Sequence, residues 1–254
     1  PMARATGKLK ILTDAMVRSV DVDATGKVTG VTYIDRNTGQ AVSLPARVVV
    51  LAASACESAR ILLNSKTAAA PNGLANSSGQ VGRNLMDSTG MSVAGYIPGL
   101  EGRPRYNEDG NTSNHVFIPW WGHAAQTRGE LDFPRGYHFE VQGGFSAPGM
   151  GAGRGAVGYG LAMKDQLRKS YGANFGLSLR GEMLPNQYCF MDIDETQKDK
   201  WGIPVVRFHW QWSEHELKQV DHGLKMAKKI IETMGGQLLS PLPAPEEAIK
   251  KGGQ

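Results

Sequence analysis

Cysteine is nearly absent, with 2 in 254 residues, and Cys56 and Cys189 lie far apart without a C-x-x-C neighbour. That excludes a disulfide scaffold and a cysteine-based zinc site. Long apolar runs are missing too: the longest, Val48 to Ala53, falls far short of the roughly 20 residues that cross a bilayer. No stretch near the start resembles a signal-peptide core. Charge of one sign is also lacking, since 28 basic and 24 acidic residues leave a net charge of +4 scattered along the chain. The densest basic cluster, Lys225, Lys228 and Lys229, has acids beside it, so no nucleic-acid stripe is expected. The 32 glycines follow no Gly-X-Y period, which removes collagen-like and fibrous architectures.

What remains is a globular composition, 41% hydrophobic and 20% charged, able to bury a sizeable core. The length fits one large domain or two small ones. Pro1 precedes Met2, and the chain closes on KKGGQ without a final element; both suggest a fragment of a longer protein.

Lys10 to Val22 alternates apolar and polar residues, and VTGVTYIDR does so again after the turn at Thr25–Gly26–Lys27. This predicts two paired strands. After Pro45, RVVVLAA is a continuous β-branched run, the pattern of a central strand buried on both faces. Ser54 to Ser65 then reads as a helix, with Ala55, Ala59, Leu62 and Leu63 on one face and Glu57 and Arg60 on the other. From Ser88 to about Trp212, short β-like runs recur at MSVAGYI, HVFIPWW, YHFEVQGGF, YCFMDI and VVRFHWQW, predicting a second, mostly β domain. Ser213 with Glu216 forms a capping box, and Leu217, Val220, Leu224, Ala227, Ile231 and Met234 recur at helical spacing. An amphipathic helix over 214–234 follows, stopped at Gly235 and Gly236.

The candidate sites each have a plain alternative. In VVVLAASACESARILLNS, a buried strand delivers Ala52, Ala53, Ser54 and Ala55 to a helix N-terminus. Small residues there admit a nucleotide cofactor close to the backbone, and they equally serve ordinary strand–helix packing. GMGAGRGA, residues 149–156, imitates a dinucleotide fingerprint, but no buried strand enters it and no acid follows at the right distance, so it is a decoy. His215-Glu216 begins an H-E-x-x-H motif that Gln219 breaks. His215 and His222 project opposite the apolar stripe, which predicts a solvated face. His115, His123, His138 and His209 sit in β-rich segments and none stands out. Of the tryptophans, Trp210 and Trp212 would share a strand face, and such residues are more often core than sugar platforms. No paired carboxylates, Ser-His-Asp arrangement or metal cluster emerges.

With these residues in view, the chain resembles the glucose-methanol-choline (GMC) family of flavin-dependent oxidoreductases, especially its bacterial gluconate-dehydrogenase-like flavoprotein subunits. ARVVVLAASACESARILLNS looks like the family's strand and helix after the flavin-binding meander. PNGLANSSGQVGRNLMDS looks like the following loop, and GEMLPNQYCFMDIDETQKDKWGIPVVRFHWQWSEHEL like the start of the C-terminal segment. Ser88 departs from the histidine many members carry after the aspartate.

The resemblance implies a mixed α+β and α/β fold: a partial FAD-binding domain of Rossmann type over 1–87 and an antiparallel-sheet substrate domain over 88–254. It implies FAD as cofactor, with Val17 meeting the adenine through its backbone, Ala52 and Ala53 lining the nucleotide pocket and Asn84 lying toward the flavin. The parent would oxidise a small-molecule alcohol or sugar hydroxyl and pass electrons to a carrier, such as a partner subunit, or to oxygen. The family's phosphate-binding glycines and catalytic histidines lie outside the matching segments, so no catalytic residue is assigned and the fragment alone is expected to be inactive. A stand-alone carbohydrate-binding module is the alternative; it accounts for the tryptophans but not for the VVVLAASACES strand and helix. The compartment stays open.

Overall fold

The computed structural model describes residues 2–104, 116–144 and 159–244. In chain order the elements are α1 (Met2–Ala5), β1 (Ala15–Val22), β2 (Val28–Asp35), β3 (Ala41–Pro45), α2 (Ser54–Asn64), β4 (Ser88–Thr89), β5 (Ser92–Tyr96), β6 (Val116–Ile118) and α3 (His123–Thr127). Then follow β7 (Tyr137–Gly143), α4 (Gly160–Ser170), β8 (Asn174–Glu182), β9 (Phe190–Lys198), β10 (Pro204–His209), α5 (Glu214–Thr233) and β11 (Gln237–Leu238). They group into two compact units, residues 1–85 with 186–210 and residues 86–185 with 211–254. The first unit is thus discontinuous in the chain, with residues 186–210 added to residues 1–85.

In the first unit β1, β2 and β3 form an antiparallel meander. The β1–β2 turn is held by the Asp23 carboxylate, which accepts from the Thr25 and Lys27 backbone N–H groups. Val20, Ile34 and Ile61 are buried, and Ser65 Oγ, just past α2, accepts from the Val20 N–H at 2.8 Å, joining helix to strand. The β9–β10 hairpin is anchored by Arg60, expected on the outer face of α2 yet 11% exposed. Its guanidinium donates to Asp199 Oδ2 at 2.8 Å and to the carbonyls of Pro204 and Ile203. Sequence periodicity shows which face of a helix is polar, not that a hairpin 140 residues later covers it.

One expectation fails here. Val48 and Val50 are 78% and 82% exposed, and residues 46–52 belong to no strand. A parallel central strand obtains its neighbours through long crossovers, and among the described residues β1, β2 and β3 pair only with one another.

The second unit is an antiparallel sheet in the order β11-β5-β8-β7-β6, with β4 also on β8. β8 was not anticipated: Phe175, Leu177 and Leu179 do alternate with Gly176, Ser178 and Arg180, but the glycines at 176 and 181 lower the strand propensity of the segment. α5 packs across it with the expected capping box. Leu177 and Leu179 are buried beneath the helix beside Val220, Leu224 and Ile231. The helix sits close because two glycines face each other's neighbours: a Cβ on Gly223 would lie 1.7 Å from Leu179 Cδ1, and one on Gly181 would lie 1.8 Å from Gln219 Oε1. Trp210 and Trp212 lie beyond the end of β10 rather than on a shared strand face.

Two outcomes test this packing. Gly181→Ala should destabilise the protein by about 2 kcal/mol through overpacking and loss of a buried hydrogen bond, whereas Gly176→Ala, whose Cβ would meet nothing closer than 3.4 Å, should be near neutral in denaturant titration. Burial tends to raise the Asp199 carboxyl, but the Arg60 side chain and the Ile203 and Trp201 N–H groups hold it below its ordinary value of 3.8. A depressed carboxylate contributes stability above its unfolded pKa and loses it as pH falls through the lower folded value. Asp199→Asn should accordingly lower stability at neutral pH and flatten the acid limb of a stability-versus-pH curve.

Candidate functional site

The residues expected at a nucleotide lie in the first unit. Val17 is half-buried on β1, the outermost strand of its sheet, and the β1–β2 register shifts between Val17 and Ser19. A bulge on an edge strand leaves backbone groups outside the ladder. Ala52 and Ala53 are exposed and lead into α2, followed by exposed Ser54 and Ala55. The N-cap position is Ala53, which offers no side-chain acceptor to the first turn. Ser54 has φ of 72°, a conformation costly for a residue with a Cβ. Asn84 is exposed with φ of 51° in a loop pinned to the next segment: Leu85 N–H donates to the Cys189 carbonyl and Met191 N–H to the Gly82 carbonyl, both at 2.8 Å. Ala52 and Ala53 thus lie side by side, at the opposite end of α2 from its link to β1, while Asn84 belongs to a separate loop.

The neighbour of Asn84 opens a stack that the sequence did not reveal. The Arg83 guanidinium lies 4.3 Å from the Phe190 ring centroid, and Phe190 stacks on His209 at 4.0 Å and 12°. Asp192 receives both Arg207, at 2.9 Å, and His209, at 3.2 Å. Alternation along β9 and β10 could have signalled the Phe190–His209 pair, which the register sets directly opposite.

In the second unit the histidines of α5 depart from expectation. His222 is not solvated: its Nδ1 and the Tyr137 hydroxyl are 2.8 Å apart, and Trp120 and Phe133 stand around the ring at 6.3 and 5.3 Å. The His215 side chain is 9% exposed, with Nε2 3.2 Å from the Glu182 carbonyl oxygen. The loop from Trp120 to Phe133 and the start of β7 cover this side of α5, so the helix is buried on more than its apolar stripe. Between the two histidines lie fully buried Glu216 and Gln219. Glu216 accepts from the Leu184 and Ser213 N–H groups and from the Ser213 hydroxyl; burial alone would raise its carboxyl, and these donors hold it below its ordinary value. Gln219 accepts from the Thr89 hydroxyl at 2.7 Å and donates to the Gly136 carbonyl at 3.1 Å.

A cleft of about 650 Å³ opens near the β4 end of β7 and β8, with Ser88, Phe117, Trp120, Tyr137, His138 and Arg180 among its lining residues. Among the described residues no group of three or more His, Cys, Asp or Glu side chains could hold a metal ion, and no helix is long and apolar enough to cross a membrane. Cys56 is half-buried, and Cys189 is buried with its Sγ accepting from the Asn186 side-chain amide at 3.4 Å. His115 and residues 149–156 lie outside the described residues.

Comparison with known proteins gives consistent results. GMC oxidoreductase family profiles match residues 1–89 and 185–252. A 2-methyl-1,2-propanediol dehydrogenase of Mycolicibacterium austroafricanum is 30% identical over 235 residues, 86% of this chain and 40% of that protein. A fructose dehydrogenase large subunit of Gluconobacter japonicus is 25% identical over 245 residues, 92% of this chain and 41% of that protein. A gluconate 2-dehydrogenase flavoprotein of Pantoea cypripedii is 23% identical over 251 residues, 94% of this chain and 39% of that protein. The chain thus spans about two fifths of the length of these relatives.

Burial lowers the His222 pKa below its ordinary 6.5, with nearby Asp221 and Asp132 opposing and Lys225 reinforcing. A depressed histidine contributes stability above its unfolded pKa and loses it as pH falls through the folded value. An NMR titration should place the His222 midpoint below 6.5, and Tyr137→Phe, which strands the ring nitrogen, should cost about 1–2 kcal/mol in thermal unfolding.

Proposed function

The chain belongs to the GMC oxidoreductase family, and on that premise we propose that it forms part of an FAD-dependent dehydrogenase that oxidises an alcohol or sugar hydroxyl. The observation that carries this reading is the match of family profiles to both 1–89 and 185–252, reinforced by relatives whose names are those of diol, fructose and gluconate dehydrogenases. Family membership displaces the reading as a stand-alone carbohydrate-binding module.

The residues present fit a dinucleotide. Exposed small side chains at Ala52, Ala53 and Ala55 leave the start of α2 open, where the Ser54 hydroxyl accepts from the Glu57 N–H at 3.5 Å, and a helix start favours an anionic or hydrogen-bond-accepting ligand. In this reading Ala52 and Ala53 line the nucleotide pocket, the β1 edge at Val17 meets the adenine through backbone groups, and Asn84 holds its left-handed turn toward the flavin. Residues 48–53 become a strand of a Rossmann-type sheet whose other strands come from elsewhere in the protein, which accounts for exposed Val48 and Val50. When bound, FAD supplies the acceptor for the hydride leaving the carbon that bears the hydroxyl.

Three of the chain's histidines are engaged otherwise. His222 serves Tyr137, His215 meets the Glu182 carbonyl, and His209 is stacked and paired with Asp192. We therefore assign none of them the hydroxyl proton. Electrons leave to a separate acceptor, and the name "large subunit" carried by one relative supports an electron-transfer partner.

The test is made on the full-length protein. It should purify with bound FAD, and anaerobic addition of an alcohol or sugar should bleach the oxidised-flavin absorbance; a colourless protein that no such substrate or added FAD changes would refute the reading. Ala53→Leu places a larger group on an exposed position, so it should weaken FAD retention by about tenfold or more while leaving the circular dichroism spectrum unchanged.

A further inference from the structure

The segment over residues 119–135, which covers one side of α5, is held together from within. The Trp120 Nε1–H donates to Gln126 Oε1 at 3.2 Å, and Gln126 donates in turn to the Phe133 and Arg135 carbonyls. One amide side chain thus staples both ends of the segment and stiffens it as a unit. It meets α5 through Asp132, which pairs with Lys218 at 3.2 Å, and through Trp120 and Phe133, which pack around the Tyr137–His222 pair. The Trp120 and Tyr137 ring centres are 4.7 Å apart, and those of Phe133 and His222 are 5.3 Å apart.

The pair at the centre of this cage admits one arrangement of protons. The Tyr137 hydroxyl has no other hydrogen-bond partner among the described residues, so it donates to His222 Nδ1 and the ring proton sits on Nε2. A second proton on the ring reverses the bond. Nδ1 then donates to the phenol oxygen, and the phenol hydrogen is left buried without an acceptor, a loss the closed cage does not make good. The acids facing the ring are already paired. On α5, Asp221 meets Lys225 at 2.5 Å, while Glu214 and Asp132 share Lys218; along the segment Arg128 meets Glu130, and Arg135 lies 3.7 Å from Glu182. A cation enclosed without a partner is strongly disfavoured, and burial accordingly holds the His222 pKa below its ordinary 6.5.

We propose that residues 119–135 form an acid-released strap: with His222 neutral, the Tyr137–His222 bond and its aromatic cage clamp the segment onto α5, and protonation of His222 frees it. Parting the segment from the helix admits water to the imidazolium, the solvation that the closed cage withholds. A histidine whose pKa is lower in the closed state than in the open one favours closure above its ordinary value and opening as pH falls through the lower one. Trp120 also lines the cleft, so release of the strap reshapes that wall. The device stands apart from the dehydrogenase reading and needs no flavin.

The experiment is hydroxyl-radical footprinting of the full-length protein between about pH 8 and about pH 5, the range in which a histidine changes charge. Phe133 and Phe139 are both buried, and only Phe133 belongs to the strap. Oxidation of Phe133 should rise toward the acid end by about tenfold for each pKa unit by which closure depresses His222, while Phe139 stays protected. His222→Asn, whose amide oxygen can accept the Tyr137 proton but does not titrate, should abolish the pH dependence and keep Phe133 protected. Lys218→Met, which removes the tie to Asp132, should raise Phe133 oxidation at every pH and leave the midpoint unmoved. Phe133 oxidation that stays flat with pH in the unaltered protein, or an acid response that survives in His222→Asn, would overturn the strap. Equal acid exposure of Phe139 would do so as well, since that is unfolding of the whole unit. A His222 midpoint at or above 6.5 by NMR would show that the cage favours the cation, which is the opposite of the proposal.

Discussion

The close seating of α5 on β8 is the constraint on which the second unit depends. The distance of a helix from the sheet it covers is set by the side chains packed between them. Here Gly223 receives Leu179 and Gly181 receives Gln219, so the helix descends far enough for its polar groups to reach the backbone of the sheet and its flanking loops. Gln219 can then bridge Thr89 to the Gly136 carbonyl, and Glu216 can satisfy the N–H of Leu184 just past β8. Buried polar groups of this kind stabilise only when each partner is present. Their completeness therefore fixes the start of β7, and with it the positions of Tyr137 and His138.

That anchoring gives each side of β7 its own character. Tyr137 turns toward α5, where its hydroxyl meets His222 inside an aromatic box, and burial drives its pKa well above the ordinary tyrosine range. Both partners remain neutral at physiological pH, so the box is a structural hydrogen bond rather than a charge. His138, one residue later, faces the other way, its ring against the edge of Phe117. Two adjacent residues of similar type thus acquire different work from the pleat of the strand.

The first unit is organised around a single cation. Arg60 spreads its donors over Asp199 and two carbonyls of the β9–β10 hairpin, a use of the guanidinium fork that lysine could not reproduce. The same hairpin carries Phe190 and His209, on which Arg83 stacks beside Asn84. The loop expected near the flavin is therefore braced by a segment more than 100 residues later in the chain.

Local patterns settled a good deal by themselves. The β1–β2 hairpin, α2 and the capped α5 were legible because alternation, helical spacing and a Ser-x-x-Glu box are short-range signals whose physics acts within a few residues. The blocks around Ala52, Ala53 and Asn84 were legible as a family likeness for the same reason, since they are contiguous. Only the tertiary structure decided that Arg60 is largely enclosed, that His215 and His222 are covered, that β8 is the central strand and that His138 keeps a buried nitrogen without a partner among the described residues. Each of these depends on a neighbour supplied from far along the chain, and a one-dimensional pattern records which side of an element is apolar, not what arrives to cover the other side.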